Sequence, residues 1–228
     1  MIYNDSNNIQ EKLGELLEYS KKLSKCGMVV GAGGNTSVLI NDTIYIKPSG
    51  LSFEEMVIGD WVEVDFETGD PKKHPKNHLP SSELQMHLDI YRGRSDVNCI
   101  FHAHPPFVIG VSAAGISFKH LFPDSVSYLG KEIPVVRYCE PCGTELATLV
   151  NKNIRNNLSI VLVNHGAITV GKEPKVTYLR IKILEELARM HWIASSSAQK
   201  SEYHVIPEDE VDKILNLKKI KYRQSLME

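Results

Sequence analysis

Two short apolar runs constrain the fold more than any other feature of the chain. Val97–His104 (VNCIFHAH) stops at Pro105-Pro106, and Ser159–Val163 runs straight into Asn164-His165-Gly166. Segments this short and this apolar fit strands buried on both faces, as in a sheet layered between helices. The covering helices are legible around them. Ile9, Leu13, Leu16, Leu17 and Leu23 recur at helical spacing until Gly27, and Leu84, His87, Leu88 and Tyr91 share a face behind Ser82 and Gln85, a capping-box pair. That second helix is expected to start at Ser81-Ser82-Glu83. Further helices are expected over Pro106–Ala114, from a Thr144 cap through Leu146, Leu149, Val150 and Ile154, and over Glu208–Leu217. Pro174 opens a long one whose stripe Val176, Leu179, Ile183, Leu187, Met190 and Ile193 is expected to face the core.

Further strands are predicted at Met28–Val30, Thr36–Ile40, Thr43–Ile46, Trp61–Phe66 and Ile133–Tyr138, with Asn41-Asp42 as a turn between antiparallel partners. Residues 71–80 (PKKHPKNHLP) read as a solvated loop. No repeat or linker divides the 228 residues, of which 42% are hydrophobic, so one mixed α/β domain spanning 1–228 is expected, with 218–228 a mobile polar tail.

A net charge of −2 provides no field for holding a nucleic-acid backbone. No apolar stretch approaches the roughly 20 residues of a membrane span, and the polar start MIYNDSNNIQ is unlike a signal peptide. Cys26, Cys99, Cys139 and Cys142 are too few and too scattered for a disulfide framework. A cytoplasmic protein is expected.

His102 and His104 alternate on a predicted strand, so their imidazoles project from one face. His165 ends another buried strand. Three imidazoles with an open position match a catalytic zinc site better than a closed structural one, although His-x-His alone also occurs on unrelated folds. His74, His78, His87, His120, His191 and His204 show no such pattern and are read as structural or exposed. Glu83, beside the histidines only if the fold brings it there, is either a helix-start carboxylate or a general base. Gly34-Asn35, Ser49-Gly50 and Ser81-Ser82 supply backbone amides, an amide side chain and hydroxyls of the kind a phosphate monoester uses, or are ordinary turns. GAGGN matches neither a Walker loop nor a dinucleotide fingerprint. Cys139-x-x-Cys142 lacks both a second metal-binding pair and a redox context, and reads as incidental.

Together GGNTS, IKPSG, LPSSE, FHAHP and NHG, in this order and over nearly the whole chain, resemble the class II aldolase/adducin superfamily in its L-fuculose-1-phosphate aldolase branch. The resemblance implies an α/β/α domain with a mostly antiparallel mixed sheet, assembled as a homotetramer with active sites between subunits. It implies Zn²⁺ on His102, His104 and His165, with Glu83 completing the coordination in the empty enzyme and serving as acid/base. Gly34, Asn35, Ser49, Gly50, Ser81 and Ser82 would hold the phosphate of a ketose 1-phosphate. Cleavage through a metal-stabilised ene-diolate would release dihydroxyacetone phosphate and a short aldehyde. A tail tyrosine from a neighbouring subunit assists in these aldolases, and Tyr222 is its candidate. A second family tyrosine has no clear counterpart, Asp124 and Tyr128 standing near its place. The rival implied activities are a 4-epimerase of ribulose 5-phosphate, which Lys47 in IKPSG resembles although it carries aspartate where this chain has Glu83, and a sugar-phosphate decarboxylase. An adducin-like binding module would have lost metal ligands that are all present here.

Overall fold

The structure, a computed structural model, describes residues 2–197 and 203–225. Helix α1 (Ile2–Lys25) buries Leu13, Leu16, Leu17 and Leu23. Gly27, at φ 70°, lets the Met28 amide turn back to Leu23 O at 2.9 Å and close the helix end. Seven strands follow: β1 (Asn35–Ile40), β2 (Thr43–Ile46), β3 (Val62–Asp65), β4 (Cys99–Ala103), β5 (Val135–Val136), β6 (Ser159–Leu162) and β7 (Gly166–Gly171). They form one sheet in the order β3-β2-β1-β4-β7-β6-β5, antiparallel throughout except for β5 against β6. The mostly antiparallel mixed sheet expected from the resemblance is therefore present.

Both faces are covered, which is why β4, β6 and β7 are buried at every position. One face carries Phe101, Ala103 and Val161 under α1, α3 (Pro106–Ala113) and α6 (Pro174–Ser197). The other carries Ile44, Ile100, Ile160 and Ile168 under α2 (Leu84–Gly93) and α5 (Thr144–Ile154). Helix α4 (Pro123–Leu129) adds Leu129 to the first of these layers and packs against α6, and α7 (Glu208–Asn216) and α8 (Lys218–Ser225) pack against α4.

Several local expectations are corrected. Met28–Val30 forms no strand: Met28 O accepts one hydrogen bond from His104 N, but the glycines that follow prevent a ladder. Ser82 and Gln85 make no capping box; α2 starts at Leu84 with Glu83 as its N-cap residue, and Gln85 turns instead to Asp89. Thr144 is the first helical residue of α5, and the cap is Gly143. The buried stripe of α6 is rotated from the expected one: Tyr178, Ile181, Leu184, Leu187, Ala188 and His191 face inward, whereas Ile193 is 46% exposed. This helix is apolar on more than one side, so periodicity alone does not choose its inner face. His74, in the loop expected to be solvated, is buried with its Nε2 on Gly59 O. Among these helices and strands, α4, β7 and α8 have no counterpart in the expected ones, and α8 puts Lys218–Ser225 in a helix where a polar tail was expected.

Candidate active site

His102 within strand β4 and His104 one residue past its end come to one spot, with their Nε2 atoms 3.2 Å apart. His102 is fully buried. Its Nδ1 points at Ala167 O on the neighbouring strand β7, 3.1 Å away. Nδ1 therefore carries the proton, and Nε2 presents a lone pair to the site.

The third histidine arrives through a tight connection between β6 and β7. Asn164 adopts φ 57°, and Gly166 lies so close to β4 that a Cβ there would sit 2.2 Å from Ala103 O. One ring nitrogen of each of His102, His104 and His165 falls within 4.8 Å of the others. Gly34, at φ 62°, is equally constrained, since a side chain would meet His102 O at 2.8 Å.

Glu83 joins this cluster from the start of α2. Its Oε2 lies 3.2 Å from His102 Nε2 and its Oε1 3.6 Å from His165 Nε2. Burial works to raise its pKa, but the pull of the imidazoles in their charged forms, His102 foremost, and the hydrogen bond from the Asn35 amide outweigh it and hold the carboxyl below its ordinary range. Burial also keeps all three imidazoles neutral: His102 and His104 are shifted down, and His165 is pushed down to about 4. Glu83 Oε1 and His165 Nδ1 are buried without a hydrogen-bond partner. Neutral, lone-pair-bearing nitrogens converging beside an unpartnered carboxylate oxygen form a donor set that fits a divalent cation.

The expected phosphate residues line two loops that are zipped together. Ser81 N donates to Lys47 O at 3.0 Å, Ser49 N donates to Leu79 O at 2.9 Å, and Pro48 bridges Pro80. Ser49, Gly50 and Ser82 are exposed, and Ser82 Oγ accepts from Cys142 Sγ at 3.1 Å. Asn35 is buried, with Nδ2 donating to Glu83 Oε2 at 2.8 Å. Tyr222 is 65% exposed on α8, and none of the hydrogen bonds at the cluster involves it. Asp124 lies in the first turn of α4 and Tyr128 in its last, where Tyr128 O accepts from Arg180 Nε.

Sequence reasoning missed His87 as a contributor and noted Lys47 only for its resemblance to the epimerases. His87, set aside as structural, is fully buried one turn beyond Glu83 and contacts Asn35 Oδ1 through Nε2 at 2.6 Å. Its spacing of four residues from Glu83 was the available signal. Lys47 is 2% exposed, its ammonium donating to Ala32 O at 2.8 Å, and burial lowers its pKa to about 8.

Residues 14–192 match the family described as Class II Aldolase and Adducin N-terminal domain. An L-fuculose phosphate aldolase of Methanococcus maripaludis is 34% identical over 185 residues, 81% of this chain and 98% of the relative. A 5-deoxy-D-ribulose 1-phosphate aldolase of Bacillus thuringiensis is 29% identical over 213 residues, 90% of this chain and 94% of the relative. A solved L-fuculose 1-phosphate aldolase superposes with a TM-score of 0.83 at 26% identity, covering 93% of this chain and 96% of that one. The fold is that of the class II aldolases. The chain belongs to the class II aldolase and adducin family, and among its members it is an enzyme of the aldolase type. No helix among the described residues is long and apolar enough to cross a membrane.

Proposed function

We propose that the chain reversibly cleaves an L-fuculose-1-phosphate-like ketose 1-phosphate to dihydroxyacetone phosphate and a short aldehyde. The observation that carries this reading is the convergence of three neutral imidazoles and the Glu83 carboxylate on one point. The names of the M. maripaludis and B. thuringiensis relatives, both sugar-phosphate aldolases and the second of a ketose 1-phosphate, support the substrate class.

His102, His104 and His165 would hold one Zn²⁺, the cation that best suits three imidazoles and an exchangeable position, and when bound it supplies Lewis-acid polarisation of the ketose carbonyl. Glu83 handles the proton at the adjacent carbon. As the C3–C4 bond breaks, its electron pair stays with C3, and the O4 hydroxyl passes its proton to the ionised Glu83 carboxylate as the aldehyde forms. Glu83, now protonated, delivers that proton to C3 and returns to its carboxylate form. Tyr222 of a neighbouring subunit in a homotetramer would stand at the aldehyde oxygen. The phosphate would rest on Gly34, Asn35, Ser49, Gly50, Ser81 and Ser82. Asn35 Nδ2 has a second N–H beyond the one given to Glu83, so both roles are compatible.

Lys47 favours a second reading, epimerisation of a pentulose 5-phosphate by cleavage and recombination, because a lysine buried beside the glycine loop is the feature that this activity shares. Incubation with a panel of ketose 1-phosphates and pentulose 5-phosphates separates the two. Release of dihydroxyacetone phosphate from a 1-phosphate is expected. An epimerised 5-phosphate with no triose phosphate released would replace the first reading with the second.

A further inference from the structure

From Glu83 Oε2, the oxygen that also lies 3.2 Å from His102 Nε2, a chain of buried hydrogen bonds runs through four further side chains. Glu83 Oε2 contacts Asn35 Nδ2 at 2.8 Å, Asn35 Oδ1 contacts His87 Nε2 at 2.6 Å, His87 Nδ1 contacts Ser37 Oγ at 2.7 Å, and Ser37 Oγ contacts Tyr91 Oη at 2.7 Å. All five residues are less than 9% exposed, so water cannot substitute for any link.

The direction of every bond is determined by its ends. An ionised carboxylate only accepts, so Asn35 must turn its NH₂ toward Glu83 and its carbonyl oxygen toward His87. That oxygen also only accepts, so His87 must carry its proton on Nε2. His87 Nδ1 is then a lone pair, which the Ser37 hydroxyl satisfies, and Ser37 Oγ in turn accepts from Tyr91. A charged His87 would have two donors, and Ser37 would then accept from Nδ1 and turn its own hydrogen toward Tyr91. The Tyr91 hydroxyl would be left with Asn98 O at 3.4 Å, so the outer links would run in the opposite direction. Burial, the largest influence on this imidazole, holds its pKa down at about 3 and keeps it neutral. The framework is rigid as well as directional. Asn35 and Ser37 project from the same face of β1, whereas Glu83, His87 and Tyr91 recur every four residues at and along α2. The relay therefore ties a sheet strand to a helix start at the one place where carboxylate orientation matters.

We propose that His87 is a positioning residue for proton transfer: as a neutral Nε2–H tautomer it locks Asn35, and through Asn35 fixes Glu83 by Oε2, leaving Oε1 to face the reacting carbon. This rests on Glu83 being the acid/base in the reading above. Oε1 is the carboxylate oxygen without a hydrogen-bond partner, as an oxygen reserved for substrate should be. A carboxylate free to rotate would spend much of its time in unproductive orientations, so loss of the relay lowers turnover more than substrate affinity.

The test uses the purified full chain. Heteronuclear NMR of ¹⁵N-histidine-labelled wild type should show His87 protonated on Nε2 only; an Nδ1–H tautomer or a charged ring at pH 7 would overturn the proposal directly. In kinetics, His87→Phe should lower kcat for aldehyde release and hydrogen exchange into dihydroxyacetone phosphate together by about tenfold to a hundredfold, with KM and metal content within about twofold. His87→Gln, whose amide can still donate to Asn35, should recover most of that loss. If His87→Phe does not fold, Ser37→Ala removes the donor to His87 Nδ1 and should give a smaller loss in kcat, with His87 still protonated on Nε2 because Asn35 Oδ1 is unchanged. Wild-type kcat in a folded His87→Phe protein, or no recovery with glutamine, would overturn the relay while leaving the aldolase reading intact. Wild-type protein that neither cleaves nor exchanges would instead overturn that reading.

Discussion

The Nε2 atoms of His102 and His104 face each other at 3.2 Å, although Ala167 O already claims the proton of His102 on Nδ1. Two neutral imidazoles can approach so closely only if His104 donates its own Nε2 proton or if a shared cation replaces it. With His165 and Glu83 aimed at the same point, the second arrangement uses every ligand. The purified protein is expected to hold about one divalent ion per chain, zinc foremost, and chelation should abolish activity. Elemental analysis of active protein without metal, or unchanged turnover in His102→Ala, would contradict this.

Gly166 sets how closely the β6–β7 connection approaches β4. A methyl group there would lie 2.2 Å from Ala103 O and 3.0 Å from His104 Cδ2. Gly166→Ala should therefore cost at least about 2 kcal/mol in stability, because the clash is with backbone rather than with a mobile side chain. Metal affinity should fall in the same variant, since His165 is the adjacent residue. Denaturant unfolding checks the first expectation and metal titration the second.

The metal-free protein should lose stability as pH falls. His165 and His87 are held down at about 4 and about 3 by burial, whereas in the unfolded chain each takes up a proton near 6.5. Below about 6.5 the unfolded state thus binds more protons, and the equilibrium shifts toward it until the folded-state values are reached. Chemical unfolding between pH 7 and 4 should show this decline, and His87→Gln should make it shallower. A flat profile would mean that these rings are not buried neutral.

The site was more legible in the sequence than its supports were. His102 and His104 could be paired because alternation along an extended chain fixes their common face; β4 holds His102, and His104 lies one residue past its end, with its amide on Met28 O. Glu83 was visible only through its company, since a carboxylate at a helix start usually caps. Strand β7 escaped notice because GAITVG is short, begins and ends in glycine, and follows a turn already marked by Asn164-His165-Gly166. Helix α4 was hidden by its brevity, seven residues behind a proline. The inner face of α6 was misjudged because Trp192 and Ile193 are apolar yet 53% and 46% exposed. His87 looked structural, and it is; what the sequence could not show is that β1 brings Asn35 to its edge.

Tyr222 stands exposed on α8 and is proposed to act in a neighbouring subunit. Truncation after Leu217, or Tyr222→Phe, should slow cleavage by about tenfold or more while metal content is unchanged. A monomer by gel filtration under assay conditions, or full activity in the truncated chain, would count against this role.

The most direct measurement of the central claim follows hydrogen exchange from deuterated water into dihydroxyacetone phosphate, in wild type and in Glu83→Gln with equal metal content. Glutamine keeps the size of the side chain and the contact with Asn35, but it cannot carry the proton. Wild type should exchange one hydrogen at the carbon beside the carbonyl, and the variant should be slower by about a hundredfold or more, with cleavage falling in parallel. Equal exchange in the two proteins, or no exchange in wild type that epimerises a pentulose 5-phosphate, would contradict the assignment of Glu83 and the aldolase reading with it.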